Sequence, residues 1–90
     1  MPDLLFTVIY EFLGGTYVSQ VRAGDEQHAF AAWADVLRRD RPMGVEAERI
    51  ANAVMEEAEP LNALNGLTGA WCWTTNVQGH FLLTNIVRSG

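Results

Sequence analysis

The sequence predicts a single α+β domain in which a four-stranded antiparallel sheet carries two helices on one face. Three observations support this fold class: a strand pair around two adjacent glycines, two amphipathic helical stretches, and a second strand pair near the end of the sequence. The order of these elements is ββααββ. Because the chain has only 90 residues, one core needs most of its length, and residues 1–90 are expected to form one domain.

The first hairpin has the clearest pattern. Residues that favour strands lie on both sides of Gly14-Gly15, and two adjacent glycines suit a tight turn with positive φ. With both glycines in the turn, Phe12 is predicted to face Tyr17 across the hairpin. The alternation of side chains places on the core face Phe6, Val8, Tyr10, Phe12, Tyr17 and Val21. It places on the other, more polar face Thr7, Ile9, Glu11, Val18, Gln20 and Arg22.

Two helices follow the first hairpin. Asp25 is a favourable N-cap, and apolar residues between Ala29 and Leu37 recur at helical spacing. A second helix is predicted to begin near Val45, with a weaker apolar stripe, and to end at Pro60. Both stripes are expected to pack on the same face of the sheet.

A second hairpin is predicted between Ala70 and Arg88, around a turn at Gln78-Gly79. Loops of two, three or four residues all fit the pattern, so the residue opposite Trp73 is left open. The segment before this hairpin, from Leu61 to Gly69, is predicted to be a connector.

The composition excludes several classes of function. The chain has six cationic residues, all arginine, against 11 carboxylates, which gives a net charge of −5. Sequence-independent binding to DNA or RNA needs a surplus of cations, so no nucleic-acid partner is expected. The first apolar run has no cationic start and is interrupted by Glu11, so neither a signal peptide nor a membrane span is expected. Together with the single Cys72, these features predict a cytoplasmic protein.

Residues that could carry catalysis are few. Cys72 is the only cysteine, and the two histidines, His28 and His80, lie far from it in the sequence. The spacings typical of zinc sites and of phosphate-binding loops are missing, so we expect no metal, no cofactor and no enzymatic activity. An alternative is a small-molecule-binding protein or minor enzyme, with a pocket between the helices and the second hairpin. Cys72, His80 and Asn85 would line that pocket together with two tryptophans.

Two features suggest a surface that binds another protein. Trp71 and Trp73 lie on one side of a predicted strand, where they either belong to the core beneath the helices or form an exposed platform. Glu56, Glu57 and Glu59 crowd the C-terminal end of the second helix, where the helix dipole disfavours negative charge. Either solvent screens these carboxylates, or a basic partner protein is attracted to them.

The run FTVIYEFLGGTYVSQV from Phe6 to Val21, followed by Ala32-Trp33-Ala34 in the first helix, resembles short uncharacterised bacterial proteins of ββααββ type. No catalytic motif comes with this resemblance. In size, acidity and lack of catalytic motifs, the chain is also similar to small immunity proteins that neutralise bacterial toxins. These resemblances imply a non-enzymatic interaction module, such as an immunity or antitoxin-like protein that binds a basic partner. A homodimer through an uncovered face of the sheet is a further option.

Overall fold

The computed structural model of the protein describes residues 3–56, 61–64 and 66–89. These residues form two helices and a five-stranded antiparallel sheet, so the predicted α+β class is confirmed. The elements in chain order are β1 (Leu4–Phe12), β2 (Gly15–Ala23), α1 (Glu26–Asp40), α2 (Val45–Glu56), β3 (Asn62–Ala63), β4 (Ala70–Val77) and β5 (His80–Arg88).

The sheet has one more strand than predicted. Its strands lie in the order β2-β1-β5-β4-β3, and each neighbouring pair is antiparallel. The additional strand β3 lies in the predicted connector, where Asn62 and Ala63 pair with Cys72 and Trp71. A strand of two residues shows no alternation in a sequence, and its pairing depends on contacts made only after folding. The prediction of four strands is therefore wrong.

The pairing of β1 with β5 joins the two hairpins into one sheet. Val8 on β1 lies opposite Ser19 on β2 and opposite Ile86 on β5, so β1 has a partner on each side. This pairing brings two strands that are distant in sequence together in the interior of the sheet. Within the described part of the chain, β2 pairs with β1 alone and forms one edge.

The first hairpin turns at Leu13-Gly14, one residue earlier than predicted. Both turn residues have positive φ, 51° at Leu13 and 79° at Gly14. Tyr17 consequently faces Tyr10, and the two rings stack with their centroids 5.5 Å apart. The predicted pairing of Phe12 with Tyr17 is therefore wrong.

Gly15 leaves room for the ring of Tyr17. The ring of Tyr17 covers the backbone at Gly15, where a Cβ atom would lie 2.8 Å from the Tyr17 hydroxyl oxygen. The register differs from the predicted one by two residues, and an even shift leaves every side chain on its own face. The predicted division into two faces is confirmed, because the buried residues of the hairpin include Phe6, Val8, Tyr10, Phe12 and Val21.

The start of each helix agrees with the sequence pattern. Asp25 caps α1, since its Oδ1 accepts a hydrogen bond from the backbone N–H of His28 at 2.8 Å. At the other end, Arg41 adopts a left-handed conformation and its N–H donates to a carbonyl of the last turn. The second helix, α2, begins at Val45 as predicted, and its predicted end at Pro60 lies outside the described residues.

Both helices pack on the same face of the sheet, as predicted. The core is centred on Trp33 of α1, which is fully buried. The centroid of its ring lies 5.0 Å from that of Tyr10 on β1 and 6.3 Å from that of Trp73 on β4. These aromatic contacts hold α1 against both hairpins at once.

The second hairpin has a two-residue turn at Gln78-Gly79. Both residues have positive φ, 55° and 81°, which is the backbone of a tight hairpin turn. Trp73 consequently lies opposite Thr84, and the register that the sequence left open is determined.

Candidate interaction surface

The three residues predicted to line a pocket do not come together. Cys72 and Asn85 are cross-strand neighbours, but they lie on the face of the sheet away from the helices. His80 is exposed beside the second turn, with its ring centroid 6.2 Å from that of Phe12 on the core face. Because side chains alternate along a strand, His80 and Asn85 belong to opposite faces of β5. A pocket shared by all three residues is therefore not formed.

The two tryptophans of β4 lie on the helix side of the sheet. Trp73 is buried, and its ring lies 4.8 Å from that of Phe30 on α1. Trp71 is half-buried, with its ring 6.1 Å from that of Phe6. The sequence left open whether these tryptophans belong to the core or form an exposed platform. Trp73 belongs to the core and is not accessible to a partner. Trp71 keeps part of its surface exposed.

The carboxylates predicted to attract a basic partner are described in part. Glu56 is exposed as the last described residue of α2, whereas Glu57 and Glu59 lie outside the described residues. At the start of the same helix, Arg49 donates a hydrogen bond to Oε1 of Glu46 at 2.6 Å, so that carboxylate is already paired. A docking role for the acidic end of α2 stays a prediction.

The space between α2 and the second hairpin is a shallow hollow of about 270 Å³. It is lined by Arg49, Asn52, Ala53, Glu56, Asn76, Val77 and Gln78. The hollow lies where a pocket was predicted but contains none of the predicted residues. Within residues 3–56, 61–64 and 66–89, no three His, Cys, Asp or Glu side chains are grouped so that they could hold a metal ion.

Two charged groups at the ends of α1 have shifted pKa values, and both are exposed. The backbone N–H of His28 lowers the pKa of the Asp25 carboxyl, and the His28 side chain adds to this effect. A hydrogen bond to the Asp40 carboxylate at 3.0 Å raises the pKa of Arg39. Both shifts arise from a helix cap and a surface ion pair, so they identify no reactive group.

The face of the sheet opposite the helices is uncovered in the described part of the chain. We call it the open face; it consists of the odd-numbered residues of β1 and β5 and the even-numbered residues of β2 and β4. Large apolar side chains are accessible on it, with exposed fractions of 64% for Val18, 61% for Phe81, 38% for Val87 and 37% for Ile9. Leu13, exposed in the first turn, borders a shallow hollow together with Phe81. The sheet thus has a packed apolar face and an open one.

The charged side chains of the open face are Glu11 on β1 and Arg22 on β2. Glu11 lies opposite Thr16 near the first turn, and Arg22 lies opposite Leu5 at the far end of the hairpin. At about 3.3 Å per residue, the two charges are roughly 20 Å apart along the strands, which is too far for an ion pair. The open face is therefore neutral in sum, although the chain carries a net charge of −5.

One row of residues crosses the four strands of the open face near their middle and continues onto β3. In this central row, each residue lies opposite the next one on the neighbouring strand. From β2 to β3, the row contains Val18, Ile9, Asn85, Cys72 and Asn62. Ile9 and Val18 make its β1–β2 end apolar. The cross-strand pair of Cys72 and Asn85, which was predicted for a pocket, thus belongs to the open face.

A signal for this surface was present in the sequence. Ile9 and Val18 lie on the face of the first hairpin that patterning predicts to be the more polar one, and two β-branched apolar residues are unexpected there. Phe81 and Val87 could not be assigned to the same face, because the register of the second hairpin was undetermined.

Comparisons with protein-family models, with curated proteins and with solved structures find no match to this chain. Neither helix in the described ranges combines the length and the apolar character that crossing a membrane requires. The open face is therefore the feature from which a function can be inferred.

Proposed function

We propose that this chain is a protein-interaction module, and not an enzyme, whose docking surface is the open face. The observation that supports this most directly is the exposure of Val18, Phe81, Val87 and Ile9 on a face that no described element covers. Single exposed apolar side chains are common on protein surfaces and need no explanation. A group of them on one face of a sheet is typical of a surface that binds another protein.

The size of the open face also supports a protein partner. It is four strands wide, and each of these strands has eight or nine residues. With strands about 4.8 Å apart and a rise of about 3.3 Å per residue, the face covers roughly 500–600 Å². Two such faces in contact would bury about 1,000–1,200 Å² in total, which reaches the lower end of the range for specific complexes.

The chemistry of the open face defines the partner surface that would fit it. Apolar side chains would meet Ile9 and Val18 at the centre, and opposite charges would meet Glu11 and Arg22 nearer the rim. A basic partner at the acidic end of α2, as in an immunity or antitoxin-like role, is a separate prediction. That helix packs on the other face of the sheet.

A charge introduced on the open face tests the proposal. Val18→Lys and Met55→Lys each add a positive charge at a strongly exposed apolar residue, the first on the open face and the second on α2. A partner isolated by its binding to the wild-type chain is purified, and its affinity for both variants is measured by titration calorimetry. We expect Val18→Lys to weaken binding about tenfold or more and Met55→Lys to leave it unchanged. Equal binding of all three chains would contradict the proposal.

A further inference from the structure

We infer that the partner at the open face is a second copy of this chain, packed face to face with its strands running in the reverse direction. This inference rests on the proposed docking role of the open face. The net charge of the chain, the positions of Glu11 and Arg22 on the open face and the area of that face each support it.

Charge favours the open face as the meeting surface of two copies. Each copy has a net charge of −5, so two copies repel each other, and the repulsion is smallest where the facing surfaces are neutral. On the open face, Glu11 and Arg22 cancel each other. The two helices instead carry six carboxylates against three arginines, so the helical side has a negative net charge. A second copy is therefore repelled least at the open face.

The positions of the two charges select one arrangement of the copies. A two-fold axis along the central row reverses the strand direction and places each strand over its counterpart. Glu11 of each copy then lies near the end of the other sheet at which Arg22 is located. The dimer therefore has two such Glu11–Arg22 pairs, related by the two-fold axis. A two-fold axis parallel to the strands would leave both acidic ends together, with no cation of the open face near either of them.

This arrangement also buries the apolar part of the central row. Two sheets packed face to face stand about 10 Å apart, with their strands aligned to within about 30°. Ile9 and Val18 of one copy would then pack against the same residues of the other. Both side chains are exposed in a single copy, so the contact removes apolar surface from water without disturbing the core.

The edge strand β2 offers a different route to self-association. Two β2 strands could pair through their main chains and form one continuous sheet, as unprotected edge strands tend to do. Such a dimer would leave Ile9 exposed to water, since Ile9 lies on β1 and not at the edge. A substitution at Ile9 therefore distinguishes face packing from edge pairing.

Sedimentation velocity over a range of chain concentrations tests the inference. The wild-type chain is expected to be dimeric at micromolar concentrations and to dissociate on dilution. Glu11→Arg and Arg22→Glu are each expected to weaken dimerisation about tenfold, because each replaces two ion pairs with two like-charge contacts. An equimolar mixture of the two variants is expected to restore the dimer. In the mixed dimer, each of the two facing pairs joins one positive and one negative charge.

Two further variants complete the experiment, with circular dichroism to show that each one is folded. Ile9→Lys is expected to abolish the dimer, and the control Met55→Lys is expected to leave it intact. A wild-type chain that stays monomeric, a dimer that survives Ile9→Lys, or a mixture of charge variants that stays dissociated would overturn the inference. If a monomeric wild-type chain binds another protein and Val18→Lys abolishes that binding, this inference fails and the proposed function stands.

Discussion

Thr84 lies directly opposite Trp73 on the core face of the sheet, and each has a buried polar atom that finds no hydrogen-bond partner in the described part of the chain. The Oγ1 atom of Thr84 and the Nε1 atom of Trp73 make no hydrogen bond within the described residues. The same is true of Nε1 of Trp33, whose ring lies 6.3 Å from that of Trp73. Since folded proteins pair most of their buried polar groups, we expect these three unpaired atoms to lower the stability of this part of the core.

Replacing the buried hydroxyl with a methyl group should stabilise the protein. Thr84→Val keeps the shape of the side chain and removes an unpaired polar atom, so we expect the free energy of unfolding to rise by about 1 kcal/mol. Thr68→Val, at an exposed position outside the sheet, is the control and should change it little. Urea denaturation measures both. A loss of stability in Thr84→Val would show that the hydroxyl has a hydrogen-bond partner.

Because Trp33 lies at the centre of the core, truncating its side chain should greatly lower the stability of the protein. Trp33 is fully buried and Trp71 half-buried. We expect Trp33→Ala to lower the free energy of unfolding by about 3–5 kcal/mol, because it leaves a large cavity between α1 and the sheet. Trp71→Ala should cost clearly less, since part of its surface is already in water. Denaturant unfolding compares the two, and equal losses would contradict the central position of Trp33.

The faces of the first hairpin could be predicted from the sequence, but its register could not. Alternation alone assigns Tyr10 and Tyr17 to the core face, because a shift by two residues changes neither assignment. The turn could be formed by Leu13-Gly14 or by Gly14-Gly15. Because glycine adopts positive φ more readily than leucine, local conformational preference favours Gly14-Gly15. With the turn at Leu13-Gly14, Tyr10 stacks on Tyr17. This contact joins two strands, so the local sequence pattern does not predict it.

The two turns offer a direct test of their backbone conformation. Leu13 and Gln78 are the first turn residues of their hairpins, and both have positive φ. Asparagine tolerates this conformation better than leucine or glutamine, so Leu13→Asn and Gln78→Asn should each raise the free energy of unfolding by about 1 kcal/mol. Thr16→Asn, within β2, should lower it because asparagine disfavours strands. Lower thermal stability of both turn variants would contradict these conformations.

The site was less predictable than the fold because it depends on pairings between distant residues. Cys72 and Asn85 are neighbours only through the register of β4 with β5, and Ile9 adjoins Asn85 only through the pairing of β1 with β5. A pattern of period two assigns each strand its two faces but does not specify which strands are adjacent. The open face therefore required the strand order before it could be recognised.

The cap of α1 should make stability depend on pH in a defined range. The backbone N–H of His28 lowers the pKa of the Asp25 carboxyl from its ordinary value of 3.8. A carboxyl with a lowered pKa stabilises the folded state above that ordinary value, and the stabilisation is lost as the pH falls through the pKa of the folded state. Asparagine also caps helices but does not titrate, so Asp25→Asn lacks this dependence.

Melting temperatures of the wild type and of Asp25→Asn, measured from neutral to acidic pH, test this prediction. The other carboxylates titrate in both proteins, so the difference between the two curves isolates Asp25. We expect the wild type to lose stability relative to Asp25→Asn once the pH falls below 3.8. Parallel curves throughout would contradict the proposed cap.

The docking of two open faces is tested most directly by isotope-filtered NMR on a mixture of 13C-labelled and unlabelled chains, which detects contacts between copies alone. We expect nuclear Overhauser effects between copies at the methyl groups of Ile9, Val18 and Val87, and none at Met55 on α2. A sample that sediments as a dimer but shows no contact between copies at the methyl groups of the open face would contradict the account.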